Sequence, residues 1–190
     1  QSIDADVIQA IEFAAQRHRG QFRKGKGNLP YINHPIQVMG VLIRHQENDA
    51  DLLRAAALHD VIEDTAKTPE EIQALSQTIE SEFGKEVLKV VQEVSDDKNL
   101  PFVERKRLQI INTPNLSQHA RKIKIADKTC NILDMMSNPP THWSTERKLE
   151  YLRWAEQVID GARGVNASLE QTFDQTREKA FMKFTREDRE

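Results

Sequence analysis

The sequence predicts an all-α protein, a compact single-domain helical bundle of about eight to ten helices. Three observations lead there. Apolar residues recur at three- and four-residue spacing along almost the whole chain. No stretch alternates apolar and polar residues long enough to make a convincing strand. Glycine, proline and polar clusters fall between the periodic segments, where a helix has to stop. The chain has 190 residues, 38% hydrophobic and 30% charged, enough for one domain with its own core. There is no internal repeat, low-complexity linker or composition shift. Residues 1–190 therefore read as one domain, with a core over about 4–166 and a closing helix over about 165–184.

The elements follow in order. A first helix is predicted over Asp4–His18, with Val7, Ile8, Ile11, Ala14 and Ala15 along one stripe. It ends at Gly20, before the loop GQFRKGKGNLP, which carries Arg23, Lys24 and Lys26. Pro35 opens a second, apolar helix, since proline suits a first helical position, and places His34 at or just before the start. The third helix spans about Ala50–Ile62 and is nearly all apolar until His59, which puts it through the centre of the core. Thr68-Pro69-Glu70-Glu71 is a helix start with a threonine cap, proline in the first turn and glutamate three residues after the cap. That helix ends near Phe83-Gly84 and another covers about Lys85–Val94. After SDDKNLP, helices resume over about Val103–Asn112, Gln118–Met136, Thr145–Ile159 and Val165–Phe184.

Several functions are excluded or disfavoured by composition. A net charge of -3 gives no global field for nucleic acid or an anionic membrane. No apolar stretch approaches the roughly 18–20 residues of a membrane-spanning helix. The N-terminal segment lacks the basic start and apolar core of a signal peptide. Cys130 is the only cysteine, so no internal disulfide forms, and a reducing cytoplasm is the expected location. No pattern specifies an oligomeric state, and the C-terminal helix is the candidate interface for a homo-oligomer.

Two segments carry chemistry. In HDVIED, His59 to Asp64, residues three and four apart share a helical face, so His59 neighbours Glu63, and Asp60 neighbours Glu63 and Asp64. Buried carboxylates need cations, donors or solvent, and a divalent metal held by imidazole and carboxylate answers that need. An HD dipeptide alone is more often a packed histidine at a solvated helix end. In KIKIADKTCNILDMM, Asp127, Asn131 and Asp134 lie along one side of an otherwise apolar helix, which suggests a polar cleft inside the bundle. Asp127 paired at the surface with Lys124 or Lys128 is the plainer alternative, and His34 alone reads more readily as a capping or packed residue.

Together these pieces resemble a known family. The order H…HD…D is the pattern of HD phosphohydrolases, and YINHPIQV, AAALHDVIEDT, FGKEV, VSDDK, ERKRLQ and KIADKTCNI are similar to the hydrolase domain of RelA/SpoT alarmone enzymes. The likeness is to the small stand-alone alarmone hydrolases, metazoan SpoT homologues included, and runs from about Ala10 to Asn166. It implies an HD-type fold in which His34, His59, Asp60 and Asp127 hold one divalent metal, Mn²⁺. It further implies that Glu63 and Asp64 act on the attacking water and the leaving group, with orientation of His59 as the alternative role for either. Arg23 and Lys24 match the family's nucleotide-contacting pair, and Lys98, Asn131, Arg147 and Tyr151 fall at further substrate positions. The implied activity is removal of the 3′-pyrophosphate from guanosine 3′,5′-bis(diphosphate) or its pentaphosphate analogue (ppGpp, pppGpp). Adenosine alarmones and the 2′-phosphate of NADPH are alternative substrates, and a non-catalytic nucleotide sensor is the alternative of another class. Two departures stand out. TPEEIQALSQTIESEFG is longer than the usual segment, and Cys130 stands where relatives carry an aromatic or imidazole, which leaves the base pocket open. Nothing resembles the synthetase domain of the long bifunctional enzymes.

Overall fold

The computed structural model describes residues 5–187. It contains helices α1 (Ala5–Arg17), α2 (Asn33–Arg44), α3 (Ala50–Leu58), α4 (Val61–Thr65) and α5 (Pro69–Phe83). α6 (Lys85–Val94), α7 (Phe102–Asn112), α8 (Gln118–Ser137), α9 (Thr145–Asp160) and α10 (Ala167–Glu187) follow, with a single 3₁₀ turn at Thr113–Asn115. Among the described residues there is no strand, only the isolated bridge Phe22–Pro30.

α3 is the central element. Six of its nine residues, Leu52, Leu53, Ala55, Ala56, Ala57 and Leu58, are buried, and it packs against α1, α2 and α6. Small alanines on three consecutive positions let those neighbours approach closely. α8 crosses it, lying against α2, α6 and α10. α10 buries Leu169, Phe173, Ala180 and Phe184 in the same apolar core that begins with Val7, so one core runs through the chain. Asn166 fastens the start of α10 to the end of α2, its amide donating to the His45 carbonyl at 3.1 Å and to Glu47 at 2.8 Å.

The helix stops are those the sequence chemistry requires. Asp49 accepts from the Leu52 amide at 2.9 Å, and Ser117 and Ser144 cap α8 and α9 in the same way. At Thr68 the full capping box forms: its hydroxyl accepts from the Glu71 amide at 3.2 Å and Glu71 accepts from the Thr68 amide at 3.3 Å. Thr68→Ala is expected to lower stability by about 1 kcal/mol with no change in activity, read as a drop in Tm.

Four expectations are corrected. In α1, Ile8 and Ala15 are exposed, and the buried stripe is Val7, Ala10 and Ala14, continuing to His18 just past the helix end. α2 begins at Asn33, two residues before Pro35, so His34 sits inside the first turn; proline is tolerated there because those N–H groups lack intrahelical partners. α10 begins at Ala167 rather than Val165. The largest difference is that the third helix does not run to Ile62. It stops at Leu58, and α4 restarts at Val61. The His59 imidazole Nδ1 lies 2.8 Å from the Ala56 carbonyl, the acceptor that an unbroken helix would give to the Asp60 amide. Asp60 then takes φ -100° and ψ -3°, at the edge of the right-handed helical region.

Candidate active site

That break is what makes the dyad useful. Adjacent residues on a regular helix do not face each other. Here His59 Nε2 and Asp60 Oδ2 are 3.0 Å apart. α2 brings His34, whose Nε2 lies 3.7 Å from the same Asp60 oxygen and 2.9 Å from Asp127 Oδ1, supplied by α8. His59 Nε2 is 3.8 Å from that Asp127 oxygen. His34, His59 and Asp127 thus each aim one ligand atom at a common point, the three within 4.8 Å of one another, with Asp60 against both rings.

The donor set fits a divalent cation. A carbonyl can only accept, so the His59–Ala56 contact puts a proton on Nδ1 and leaves Nε2 free to coordinate. Nε2 is buried and has no hydrogen-bond partner, yet faces carboxylate oxygens on two sides. Two imidazoles with carboxylates suit Mn, Fe or Zn. With only a proton available, burial pulls His59 down, but the Asp60 charge outweighs it and leaves the ring at about 9. Asp60 and Asp127 are held low despite burial, chiefly by His59 and by Lys128 respectively. His34 is pushed down by burial, so it stays neutral, the form a metal ligand requires.

Neighbours fix these groups. The Tyr31 hydroxyl donates to Asp60 Oδ2 at 2.6 Å, Lys128 donates to Asp127 Oδ2 at 3.0 Å, and Asn131 donates to Asp127 Oδ1 at 2.8 Å. Tyr31 and Lys128 did not emerge from the sequence reading as site residues. Tyr31 carried a usable signal, standing three residues before His34 in YINHP, so that one turn brings both to the same carboxylate. Tyr31→Phe is expected to weaken metal binding or activity by about 10- to 100-fold, measured by metal titration beside turnover.

The cluster lies in a cleft of about 490 Å³, within the range of small-molecule sites. The candidate metal ligands, catalytic carboxylates and substrate contacts from the sequence all line it except Arg147. Glu63 and Asp64 project from α4 beside Asp60. Glu63 accepts from the Asp96 amide at 3.0 Å, and burial, with the Asp60 charge behind it, pushes its carboxyl up to about 7. Asp64 instead pairs with Lys98 at 2.6 Å, and that ammonium is 3.7 Å from Glu63. Arg23 bridges to α8, donating to Asp134 at 2.7 Å and to Asn131 at 2.7 Å, with its guanidinium 5.4 Å from the Tyr31 ring centre. The α8 stripe of Asp127, Asn131 and Asp134 therefore does face a polar cleft.

The Arg23–Lys24 segment is an ordered turn. Arg23 N donates to the Leu29 carbonyl at 2.9 Å, Tyr31 N to the Gln21 carbonyl at 2.8 Å, and Gly27 N to Asn138 at 3.3 Å. Gly25 abuts the Asn138 side chain so closely that a Cβ would fall 2.1 Å from its amide nitrogen. Lys24 is exposed at the rim. Tyr151 sits between Trp143 and Trp154, with ring centres 5.8 and 5.4 Å away, and burial pushes its phenol up to about 12. Arg147 lies outside the lining, 4.6 Å above the Trp143 ring. Cys130 turns into the core and does not line the cleft, because it leaves the helical face that Asp127 and Asn131 share. The long TPEE segment forms α5, which packs on α6 and α4 away from the cleft.

Residues 10–152 match the HD domain family. The chain belongs to the HD-domain family. Among HD-domain relatives, it is 42% identical over 175 residues to guanosine-3′,5′-bis(diphosphate) 3′-pyrophosphohydrolase MESH1 of Danio rerio, covering 92% of this chain and 93% of that protein. The Homo sapiens protein of the same name is 44% identical over 169 residues, 88% of this chain and 90% of that one. The bifunctional (p)ppGpp synthase/hydrolase SpoT of Escherichia coli is 36% identical over 138 residues, 70% of this chain but 18% of that longer protein. A solved structure described as a metazoan ortholog of SpoT that hydrolyzes ppGpp superposes with a TM-score of 0.86 at 40% identity. It covers 95% of this chain and 99% of that one. Among the described residues, no helix of this HD-domain protein is long and apolar enough to cross a membrane.

Proposed function

We propose that this chain, as one HD-type hydrolase domain, removes the 3′-pyrophosphate of guanosine 3′,5′-bis(diphosphate), giving GDP and pyrophosphate. The observation that carries the reading is the knot of His34, His59, Asp60 and Asp127 at the floor of a cleft flanked by cationic side chains. The two full-length relatives named above share that activity in their names.

His34, His59, Asp60 and Asp127 would hold one divalent ion, Mn²⁺ in this reading. Such an ion polarises a phosphoryl oxygen and makes water a better nucleophile near neutral pH. Glu63 is suited to take the proton from the attacking water, since a carboxyl poised at about 7 can both accept and release a proton at working pH. Asp64, paired with Lys98, holds that ammonium toward the reacting phosphate. Water adds to the phosphorus attached to the 3′ oxygen, the P–O3′ bond breaks, and the proton that Glu63 received passes to the departing ribose oxygen. Arg23, Asn131 and Tyr151 gather on the nucleoside side, where a planar guanidinium can stack or hydrogen-bond. Lys24 at the rim and Arg147, carried on Trp143, face the outer end of the nucleotide.

The test is a panel of ppGpp, its adenosine counterpart and NADPH with Mn²⁺, comparing kcat/KM. The reading expects the guanosine 3′-diphosphate to be preferred. Binding without turnover would point to a nucleotide sensor, and preference for NADPH to a 2′-phosphatase.

A further inference from the structure

The reaction outlined above leaves one buried cation of the cleft without a task. Lys124 is 6% exposed and lines the cleft from α8, one turn before Asp127. Three other cations there are matched, Arg23 with Asp134, Lys98 with Asp64 and Lys128 with Asp127, while Lys24 stands exposed at the rim. Among the described residues Lys124 makes no hydrogen bond and no ion pair. The charges it feels are the repulsion of Lys128 and the pull of Asp96, Asp127 and Glu63, none at pairing distance, and burial with Lys128 holds its pKa down. The Lys124 stem is buried while its ammonium keeps contact with the solvent of the cleft, so the charge is presented, without a partner of its own, to an anion that arrives from outside.

The position along α8 says which part of the ligand that is. With about 1.5 Å of rise per residue, Lys124 stands roughly 4.5 Å from Asp127 along the axis. Asn131 stands roughly 6 Å from it in the opposite direction. Asn131, Arg23 and Tyr151 mark the nucleoside side, and Asp127 marks the reacting phosphorus. What continues past Asp127, away from the nucleoside, is the outer phosphate of a 3′-diphosphate. Arg105, whose Nε is buried without a partner, lines the cleft with Lys124 and shares with it a second cavity of about 240 Å³.

We infer that Lys124 binds the outer phosphate of the nucleoside 3′-diphosphate and sets the preference for 3′-diphosphates over 3′-monophosphates. This rests on the hydrolase reading above. Lys124 does no chemistry on the scissile bond; it decides which ligands sit well.

The experiment compares wild type, Lys124→Met and Lys124→Arg with Mn²⁺ on ppGpp and on the matching guanosine 5′-diphosphate 3′-monophosphate. Where the monophosphate turns over too slowly, its inhibition constant against ppGpp replaces kcat/KM. Lys124→Met is expected to lose roughly 100-fold on the diphosphate, mostly in KM, against about threefold on the monophosphate. Lys124→Arg should recover most of the difference. Lys124→Met should melt no lower than wild type, because it gives up no hydrogen bond or ion pair and keeps an apolar stem of similar length. Equal losses on both substrates, equal retention on both, or a lowered Tm with parallel losses would overturn the inference and leave the hydrolase reading standing. Wild type that hydrolyses neither substrate would remove that reading and this inference with it.

Discussion

Asp127→Asn and His59→Ala are each expected to reduce turnover by about a thousandfold or more, since the several kcal/mol that a metal contributes to the transition state go with it. Both side chains aim an atom at the same point, and Asp127 Oδ1 serves both histidines. The decisive readout is thermal. At free Mn²⁺ of about 100 times Kd, ligand binding adds roughly 2.7 kcal/mol to stability, so wild type melts higher with the ion than without. The variants should show no such increment. Their own baseline Tm will fall as well, because Asp127→Asn leaves the buried Lys128 ammonium without its carboxylate. The comparison is therefore of the metal-induced rise within each protein. A variant that keeps the full rise would remove that residue from the ligand set.

Glu63→Gln is expected to lower kcat by about 100- to 10,000-fold while the metal-induced rise in Tm survives. The pH profile carries the sign. Glu63 acts deprotonated, and burial first, with the Asp60 charge second, pushes its carboxyl up to about 7. kcat/KM should therefore fall as pH drops through that value and level off above it. A bound divalent ion favours the charged form, so the midpoint of the loaded enzyme lies below that of the free protein. The limb should vanish in Glu63→Gln. Asp64→Asn should cost less and keep the limb, because its charge is already matched by Lys98. An unchanged limb in Glu63→Gln would move the base elsewhere.

Helix order and most boundaries were legible because they rest on local chemistry. The capping box at Thr68 and the apolar run before His59 each depend on residues within one turn. Lys85–Val94 was legible to the residue, its five buried positions spaced for one face. The break at His59–Asp60 was not legible, since it comes from an imidazole taking a backbone acceptor, which no periodicity reports. Asp127, Asn131 and Asp134 could be placed on one face from spacing alone, but the partner of that face, Arg23, lies more than a hundred residues away. Tyr31 stayed hidden for the same reason, its role being a contact with Asp60 from a distant segment. The Asp127–Lys128 pair was legible only as a surface pair, its burial in the cleft being set by the surrounding helices. Arg147 lies against the Trp143 ring rather than in the cleft lining, a placement that ERKLEY alone does not report.

The most direct measurement of the central claim is hydrolysis of ppGpp with Mn²⁺ in water enriched in heavy oxygen, followed by mass spectrometry of both products. Attack at the phosphorus next to the 3′ oxygen predicts one labelled oxygen in pyrophosphate and none in GDP. Label in the GDP ribose hydroxyl, release of orthophosphate instead of pyrophosphate, or no turnover would contradict it.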